Sequence, residues 1–411
     1  MPPPYLAPGV YVEEVPAAVK PIAGVGTSTA GFIGIAADLT GPWDADSAAG
    51  MPVKPNGDAY VQAKPLEARP VNSWTEFTQA FGDLQAGNQY LAHAVYGFFN
   101  NGGGRCWVTR LSSAARDFTK NVELALTRFE GIDEIAIVAA PLPPDTAAGA
   151  LNAVHASLVG HCEKMEDRVA ILDSARDIKG DNLVISADDS GIWRPAANPK
   201  GYGAFYFPWI EVADPLGAPG TRVAVPPSGC VAGVYARSDA TRGVHKAPAN
   251  EVVRGALGVR YAVSKNVVNS LNPRGVNVIR SFEGTIKVYG GRTLASDEQG
   301  DPEWKYVNVR RLVNFLRESI DEGTQWVVFE PNAPELWSKI RRNVGSFLNG
   351  VWATGALLGT TPEQAYYVRC DETTNPPEVR NDGQVVAEIG VAIVRPAEFV
   401  IFRLSQWAGP E

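Results

Sequence analysis

The chain alternates between short apolar stretches and longer segments in which apolar residues recur at helical spacing. The apolar stretches are long enough for buried strands and lie at 27–36, 105–111, 135–139, 168–172 and 204–212. Helical spacing is found between them, at 73–82, 88–100 and 146–165. Strands that alternate with helices of this length predict an α/β fold with a largely parallel sheet covered on both faces.

Two segments depart from this alternation. Residues 37–72 are rich in Pro, Gly, Ala and Asp and have weak periodicity, so we expect a surface excursion with one short strand near 59–63. Further on, a Pro-Pro-Ser sequence at 226–228 predicts the start of a helix that ends near Asp239. Arg237, Asp239 and Arg242 are a candidate ion-pair cluster on this helix, with a structural or inter-subunit role.

The second half of the chain predicts two amphipathic helices. The first covers 307–322, and a short apolar run at 325–329 after it predicts a strand. The second begins after Asn332, which forms a capping-box pattern with Glu335, and it ends before the glycines at 355 and 359. Its apolar face is formed by Leu336, Ile340, Val344, Phe347, Leu348 and Val351.

The opposite face of this second helix is basic. Lys339 and Arg342 lie opposite the apolar arc, and Arg341 lies near its boundary. Such a face is either ordinary solvated surface or a binding surface, and the spacing alone fits both.

The two ends of the chain predict extended segments. An N-terminal strand is formed by Val10, Tyr11, Val12, Glu13, Glu14 and Val15. A Pro/Gly linker follows, with a candidate hinge at Pro16, Pro21, Gly24 and Gly26. Because this strand has no local partner, it pairs either within the sheet of its own body or with a neighbouring chain. Near the C-terminus, strands at 385–394 and 399–404 are apolar on both faces, so we expect both to be covered. The candidate receiving residues there are Val391, Ile393, Phe399, Ile401 and Arg403.

Composition narrows the functional classes. The 411 residues are 45% hydrophobic and 20% charged, with a net charge of −8, which argues against a general nucleic-acid binder. No apolar run is long enough for a membrane span, so we expect no direct membrane insertion. The N-terminus lacks the features of a signal peptide, so we expect synthesis and assembly in the cytoplasm. The four cysteines are scattered and are expected to be buried thiols.

Catalytic and cofactor motifs are absent from the sequence. It has no phosphate-binding loop, no zinc-protease motif and no Cys/His set with metal spacing, so no cofactor or metal is expected. Gly26-Thr27-Ser28 is similar to the nucleophile triplet of subtilisin-like proteases. However, residues 1–25 contain neither the Asp nor the His that precede the Ser in those enzymes. An α/β hydrolase-type enzyme of unknown substrate is therefore the alternative, and a non-enzyme is the prediction.

Several segments resemble contractile tail sheath proteins, which are found in contractile phages, R-type pyocins and related injection systems. The most specific is 225–251, VPPSGCVAGVYARSDATRGVHKAPANE. The others are PGVYVEEV followed by GVGTSTAGFIG, the glycine-rich turn NNGGGRCWVTRL, and the region after residue 275. With gaps, the resemblance runs from about residue 8 to residue 407.

The resemblance implies a mixed, multi-domain fold. We expect an N-terminal linking arm at 1–22 and an α/β body at 23–284 whose core is subtilisin-like in this family. We also expect a tube-facing α+β domain at 285–384, followed by C-terminal strands and an arm at 385–411.

The resemblance also implies a function. The chain would be a structural subunit that polymerises helically, in stacked six-fold rings, around an inner tube and contracts to drive the tube through a target envelope. Lys339, Arg341 and Arg342 would hold the acidic tube, and the N-terminal arm would reach a neighbouring subunit. The other implied partners are baseplate and terminator or cap proteins, with no nucleic acid. The particle would be a phage tail, or a released or cytoplasmic contractile particle.

Overall fold

A computed structural model describes residues 21–43, 49–113, 117–185, 194–295 and 302–401. Its strands are β1 (Ala30–Ile35), β2 (Ala68–Val71), β3 (Cys106–Leu111), β4 (Ile137–Ala139), β5 (Val169–Asp173), β6 (Gly203–Phe207), β7 (Ile210–Ala213), β8 (Arg222–Val225), β9 (Glu251–Val252), β10 (Gly258–Val259), β11 (Val276–Phe282), β12 (Thr285–Tyr289), β13 (Tyr366–Arg369) and β14 (Glu388–Val391). Its helices are α1 (Trp74–Phe81), α2 (Gln89–Asn101), α3 (Phe118–Phe129), α4 (Ala148–Met165), α5 (Gly180–Ile185), α6 (Ser228–Arg242), α7 (Lys265–Leu271), α8 (Val307–Thr324), α9 (Pro334–Ala353), α10 (Pro362–Ala365) and α11 (Pro377–Asn381).

A nine-stranded sheet forms the centre of the molecule. Its strand order is β2-β3-β1-β4-β5-β6-β11-β12-β9. The six strands from β3 to β11 run parallel, and the strands outside them are antiparallel. Helices α1, α2 and α6 cover one face, and α3, α4 and α7 cover the other. The predicted α/β class with a largely parallel sheet is confirmed.

Two helices on one face approach each other unusually closely, because glycines lie at their crossing. A Cβ added at Gly97 of α2 would lie 2.5 Å from the Cys230 sulfur. A Cβ added at Gly233 of α6 would lie 2.4 Å from the Phe98 carbonyl oxygen. Gly229 and Gly233 of the 225–251 segment therefore serve packing between α2 and α6.

Three predicted strands are wrong in detail. The stretch 204–212 is two strands in different sheets, because Pro208 has no N–H to donate and the chain turns there. Residues 59–63 form one isolated bridge, at Ala59, and the strand of this excursion is β2 instead. Residues 325–327 extend α8 as a 3-10 turn, and Phe329 adopts a positive φ of 67°. A short apolar run such as that at 326–329 does not distinguish a strand from a 3-10 turn.

A second hydrophobic core lies beside the sheet. It is formed by α8, α9 and the two-stranded sheet β13–β14. Strands β11 and β12 pair with each other in the large sheet, so that sheet extends past the predicted domain boundary at residue 284. Within the described ranges, no helix combines the length and apolar character that a bilayer crossing requires.

Asp173 is a buried carboxyl group at the end of β5. Its Oδ1 accepts a hydrogen bond from the Ser228 backbone N–H, at 2.8 Å, and so satisfies the N-terminus of α6. Burial raises the pKa of Asp173 to about 7, and the hydrogen bond from Ser228 offsets only part of this effect. An acid whose pKa is raised by folding stabilises the fold less as pH rises through that pKa.

We therefore expect Asp173→Asn to change the pH dependence of stability. The wild-type free energy of unfolding should fall between about pH 4 and pH 7, by on the order of 3–4 kcal/mol from this group. The variant keeps an acceptor for Ser228 and should lose that dependence. Guanidinium unfolding at pH 4.5 and pH 8 measures the difference, with Asp181→Asn at an exposed position of α5 as control. A variant whose advantage over wild type is the same at both pH values contradicts this expectation.

Candidate functional site

Helix α9 buries one face in the second core and presents the other to solvent, as its periodicity predicts. Its buried residues are Leu336, Trp337, Ile340, Val344, Leu348 and Val351. Pro334 is the first helical residue, but the predicted capping box is wrong. The cap residue is Ala333, and Asn332 instead accepts a hydrogen bond from the Trp337 indole and donates one to the Gln384 carbonyl.

The basic face of α9 consists of Lys339 and Arg342. Arg342 is exposed and Lys339 is half-buried, and neither has an ion-pair or hydrogen-bond partner among the described residues. Arg341 differs, because its guanidinium donates to the Cys370 carbonyl and to Ser338 Oγ. It therefore ties α9 to the segment after β13, and its role in holding a tube stays a prediction.

The small sheet β13–β14 has open edges. Tyr366 pairs with Val391 and Val368 with Ile389 in an antiparallel register. The Ala392 N–H donates to the Ala365 carbonyl, so these two residues form a hydrogen-bonded pair. Bonded and non-bonded pairs alternate along an antiparallel ladder, so the backbone N–H and C=O groups of Ile389 and Val391 point away from β13. In the part of the chain that the structure describes, no further strand pairs with either outer edge. A single bridge joins Leu357 to Ile393 at one end.

The segment that begins at residue 21 is fixed against α8. Ile22 packs in the second core, and the Val25 N–H donates to Ser319 Oγ at 3.1 Å. A Cβ at Gly24 would lie 2.8 Å from the Phe315 ring, whereas Gly26 has open space. The predicted hinge at Gly24 and Gly26 therefore lies in an anchored segment. Pro21 is exposed, and Pro16 lies outside the described residues.

The predicted ion-pair cluster of Arg237, Asp239 and Arg242 does not form. Asp239 instead pairs with buried Arg311 of α8, at 2.5 Å, and accepts a hydrogen bond from the Thr27 hydroxyl at 2.6 Å. Residues two apart on a helix point in different directions, so Arg237 faces away and donates to the Asn101 and Val252 carbonyls. Arg242 is exposed. The cluster that forms ties the N-terminal segment to both α6 and α8.

Glu398 forms a matching anchor near the C-terminus. Its carboxylate accepts two hydrogen bonds from buried Arg292, at 2.8 and 2.9 Å. Asn272 and Tyr306 donate to it at 2.7 and 2.9 Å. Burial opposes ionisation, but these donors outweigh it and hold the pKa of Glu398 below its ordinary value.

The chain beyond Glu398 leaves the body. Phe399 and Ile401 are 70% and 78% exposed and belong to no strand. We expected the apolar stretch 399–404 to be covered. In a single chain this expectation is wrong for residues 399–401, which are exposed. Arg403 and the arm strand at 10–15 lie outside the described residues.

Sequence reasoning missed Arg311, Glu398 and β13. The first two bond to residues 72 to 284 positions away, and local spacing in the sequence carries no information about such partners. The Tyr-Tyr-Val sequence of β13 is typical of strands, and it is the one local feature from which this strand could be predicted.

Comparison with known proteins places the chain in a family. The model of the phage tail sheath protein central domain matches residues 119–294. The model of the phage tail sheath C-terminal domain matches residues 299–406. Together they cover more than half of the chain, which therefore belongs to the phage tail sheath family.

Individual relatives and solved structures agree with this family assignment. The tail sheath protein of Vibrio phage KVP40 is 26% identical over 182 residues, 43% of this chain, and the match spans only 25% of that protein. The sheath of the extracellular contractile injection system PVC, in its contracted state, is 26% identical, with a TM-score of 0.74 and 98% of both chains covered. A chain of the six-fold symmetrised anti-feeding prophage baseplate is 28% identical, with a TM-score of 0.72 and coverage of 98% of this chain and 99% of that one.

The Glu398 anchor makes a prediction about stability. Glu398→Gln should lower the free energy of unfolding by about 2–3 kcal/mol, because it leaves Arg292 buried without a full counter-charge. The control is Glu388→Gln, which removes the exposed Arg369–Glu388 pair between β13 and β14. That pair should contribute about 0–1 kcal/mol. Guanidinium unfolding of the full chain measures both, and equal small losses would show that Glu398 is not an anchor.

Proposed function

We propose that the protein is a structural subunit of a contractile sheath that polymerises helically around an inner tube. The observation that carries this proposal is the open-edged sheet β13–β14 in a chain whose whole fold is similar to a sheath in its contracted state. Backbone groups at a sheet edge favour pairing with another strand, and a two-stranded sheet alone is marginally stable. The six-fold symmetrised assembly that contains a similar chain supports stacked six-fold rings and a baseplate partner.

Strand addition accounts for assembly. The donor is the N-terminal strand at 10–15, the C-terminal residues after Glu398 are a second donor, and the acceptor is the outer edge of β13–β14 in another copy. Because donor and acceptor surfaces differ, the contact is heterologous and can continue without closing, which builds a helical polymer. Main-chain hydrogen bonds of this kind hold the copies together while the bodies rotate.

The basic face of α9 accounts for attachment to the tube. Lys339 and Arg342 project from a helix whose other face is held by the second core, so their positions are fixed by packing. An acidic tube surface would neutralise both charges, and every subunit would repeat the contact. Terminator or cap proteins would bind at the ends of the polymer, where acceptor or donor strands remain unpaired.

Contraction would then convert one packing of the bodies into another, without a nucleotide. The anchors at Asp239 and Glu398 keep both chain ends attached to the body in either packing. The hinge would lie before Ile22, in the Pro16–Pro21 linker, because Gly24 is packed against Phe315. A phage tail or another contractile particle is the proposed location.

A hydrolase has no comparable support. The Thr27 hydroxyl of the protease-like triplet is bonded to Asp239. The relatives that the chain matches are named as tail sheath proteins.

Deleting residues 1–20 should abolish polymerisation and leave a folded chain. The reason is that the deletion removes the donor strand and none of the contacts that begin at Ile22. Sedimentation and negative-stain microscopy measure polymer length, and circular dichroism checks folding. A point variant, Val12→Pro, should act in the same direction because proline cannot donate to a strand ladder, with Val12→Thr as its control. Polymers of normal length from the deleted chain would contradict the donor role.

Reversing the charge of the α9 face should remove tube binding. Lys339→Glu combined with Arg342→Glu should leave folding and tube-free polymers intact, because neither side chain has a partner among the described residues. Each exposed ion pair is worth only about 0.2–1 kcal/mol, but the loss is multiplied over the subunits of a sheath. Lys200→Glu with Lys265→Glu, at exposed sites on the body, is the matched control. The measurement is the fraction of tubes covered by extended sheath, and normal coverage with the α9 variant would refute the assignment.

A further inference from the structure

Two cations and two aromatic rings lie together on one face of the β11–β12 hairpin. Arg280 is directly opposite Lys287 in the strand register, so both side chains leave the same face of the sheet. The Phe282 and Tyr289 rings lie on this face as well, with their centroids 4.9 Å apart. Together with Val252 of β9, which is opposite Lys287, these side chains form the hairpin patch.

The rings hold the two cations close together. The Arg280 guanidinium carbon is 4.9 Å from the centroid of the Phe282 ring, and Lys287 Nζ is 5.8 Å from the same centroid. The strands are joined by a two-residue turn, Glu283 and Gly284, whose φ values of 50° and 86° have the sign that a type I′ turn requires. The short turn and the strand pairing fix the positions from which both cations project.

The charge of this pair is not neutralised within the part of the chain that the structure describes. No carboxylate there forms an ion pair with either cation. Arg280 Nε has no hydrogen-bond partner, and Lys287 Nζ donates to the Asn250 amide oxygen at 3.4 Å. Glu251 of β9 is paired with Lys246 instead. Like charges directly opposite each other on neighbouring strands destabilise a sheet, and a bound anion would remove that penalty.

The hairpin patch is open to solvent and has the composition of a protein interface. Tyr289 and Val252 are 44% and 40% exposed, and Arg280, Phe282 and Lys287 are half-buried. Tyrosine, phenylalanine and arginine are enriched at interfaces between proteins relative to the rest of the surface. Two cations without a counter-charge beside such rings favour a protein segment that carries several carboxylates.

An acidic segment of this chain has that chemistry. Residues 296–301, Ser-Asp-Glu-Gln-Gly-Asp, carry three carboxylates and no cation, and they lie outside the described residues. Helix α8 also carries three carboxylates at 318–322. However, Glu318 is half-buried there, and Asp321 accepts a hydrogen bond from Gln325 at 3.3 Å. We therefore favour the segment 296–301 as the occupant of the patch.

The segment 296–301 of the same chain falls short of the patch. Just before it, the Leu294 N–H donates to the carbonyl of Gly203 at the start of β6, and just after it the Trp304 carbonyl accepts from Thr293 Oγ1. Because β11 runs parallel to β6, Arg280 lies about six residues beyond the level of Gly203, which is about 20 Å. Each carboxylate of the segment is within about three residues of a described residue, or about 10 Å of extended chain. A second copy is therefore needed to supply the segment.

We propose that the hairpin patch is an interface between copies of this chain and that it binds the acidic segment 296–301 of a second copy. Carboxylates of the segment neutralise Arg280 and Lys287, and its backbone packs on the exposed ring of Tyr289. The contact joins two different surfaces, so it can be repeated along a helical polymer, and in this respect it rests on the proposed function.

Charge reversal in polymers of the full chain tests the contact. Arg280→Glu with Lys287→Glu should raise the critical concentration for polymerisation about tenfold, because two ion pairs are lost. Asp297→Lys with Glu298→Lys should have the same effect. All four changes in one chain should restore polymerisation, because the two surfaces are complementary again. Normal polymerisation by either pair of changes, or no restoration by the four together, overturns the proposal.

Two controls make this test specific. Lys120→Glu with Arg128→Glu, at exposed positions of α3, makes the same change in net charge and should leave the critical concentration unchanged. Asp321→Lys with Glu322→Lys tests the competing acidic site on α8. If this α8 pair restores polymerisation of the Arg280/Lys287 variant and the 297/298 pair does not, the segment 296–301 is not the occupant.

Disulfide cross-linking distinguishes a second copy from the same chain. The four native cysteines are buried, so introduced cysteines can be followed without them. Polymers that mix a Thr285→Cys chain with a Gln299→Cys chain should give disulfide-linked dimers, because Thr285 is opposite Phe282 on the patch. Glu378→Cys on α11 in place of Thr285→Cys is the control and should give none. Absence of dimers, or a cross-link within a single chain that carries both cysteines, overturns the proposal.

A wild-type chain that forms no polymer would count against the proposed function, and the patch can then be tested on its own. A labelled synthetic peptide of residues 295–302 should bind the unassembled chain saturably. Arg280→Glu with Lys287→Glu should weaken this binding by about tenfold or more, and the same peptide with its carboxylates converted to amides should not bind. Absence of saturable binding, or equal binding by the variant and the wild type, overturns the proposal.

Discussion

The unpaired backbone edge of β13–β14 is the constraint on which the rest of the structure depends. Hydrogen-bonding groups of the backbone are costly to leave without partners once water is excluded, and strands at an edge are ready templates for another chain. A nine-stranded sheet can tolerate two edges, but a two-stranded sheet consists only of edges. Partner strands would complete it, and the same bonds would link one copy to the next.

Strand addition can transmit force only if each donor is fixed at its root. The structure has such a root at both ends of the described chain. Asp239, Arg311 and Thr27 hold the N-terminal segment across α6 and α8. Arg292 holds Glu398 beside the large sheet. Both anchors are ion pairs with a largely buried arginine, and breaking such pairs is costly. A body that rotates would therefore pull on its neighbours through short linkers rather than by unravelling its own ends.

Structural features that depend on local periodicity are predicted well from the sequence. The parallel strands and the apolar face of α9 follow from apolar spacing, because burial on one or both faces imposes that spacing directly. Predictions were wrong where the structure of a segment depends on residues that are distant in the sequence. Asp239 has its partner on another helix, and the apolar run at 325–329 has no neighbouring strand with which to pair. The sequence predicts a strand around Val391 but not its partner β13, because four residues give too weak a pattern.

Electron cryomicroscopy of polymers formed by the full chain tests the central claim most directly. We expect β13–β14 to gain at least one strand on an outer edge in every subunit. The added strand should trace to the N-terminal or C-terminal segment of a different copy, while the Arg311–Asp239 and Arg292–Glu398 pairs remain intact. A polymer in which both outer edges stay unpaired, with copies held together only by contacts between their bodies, would contradict it.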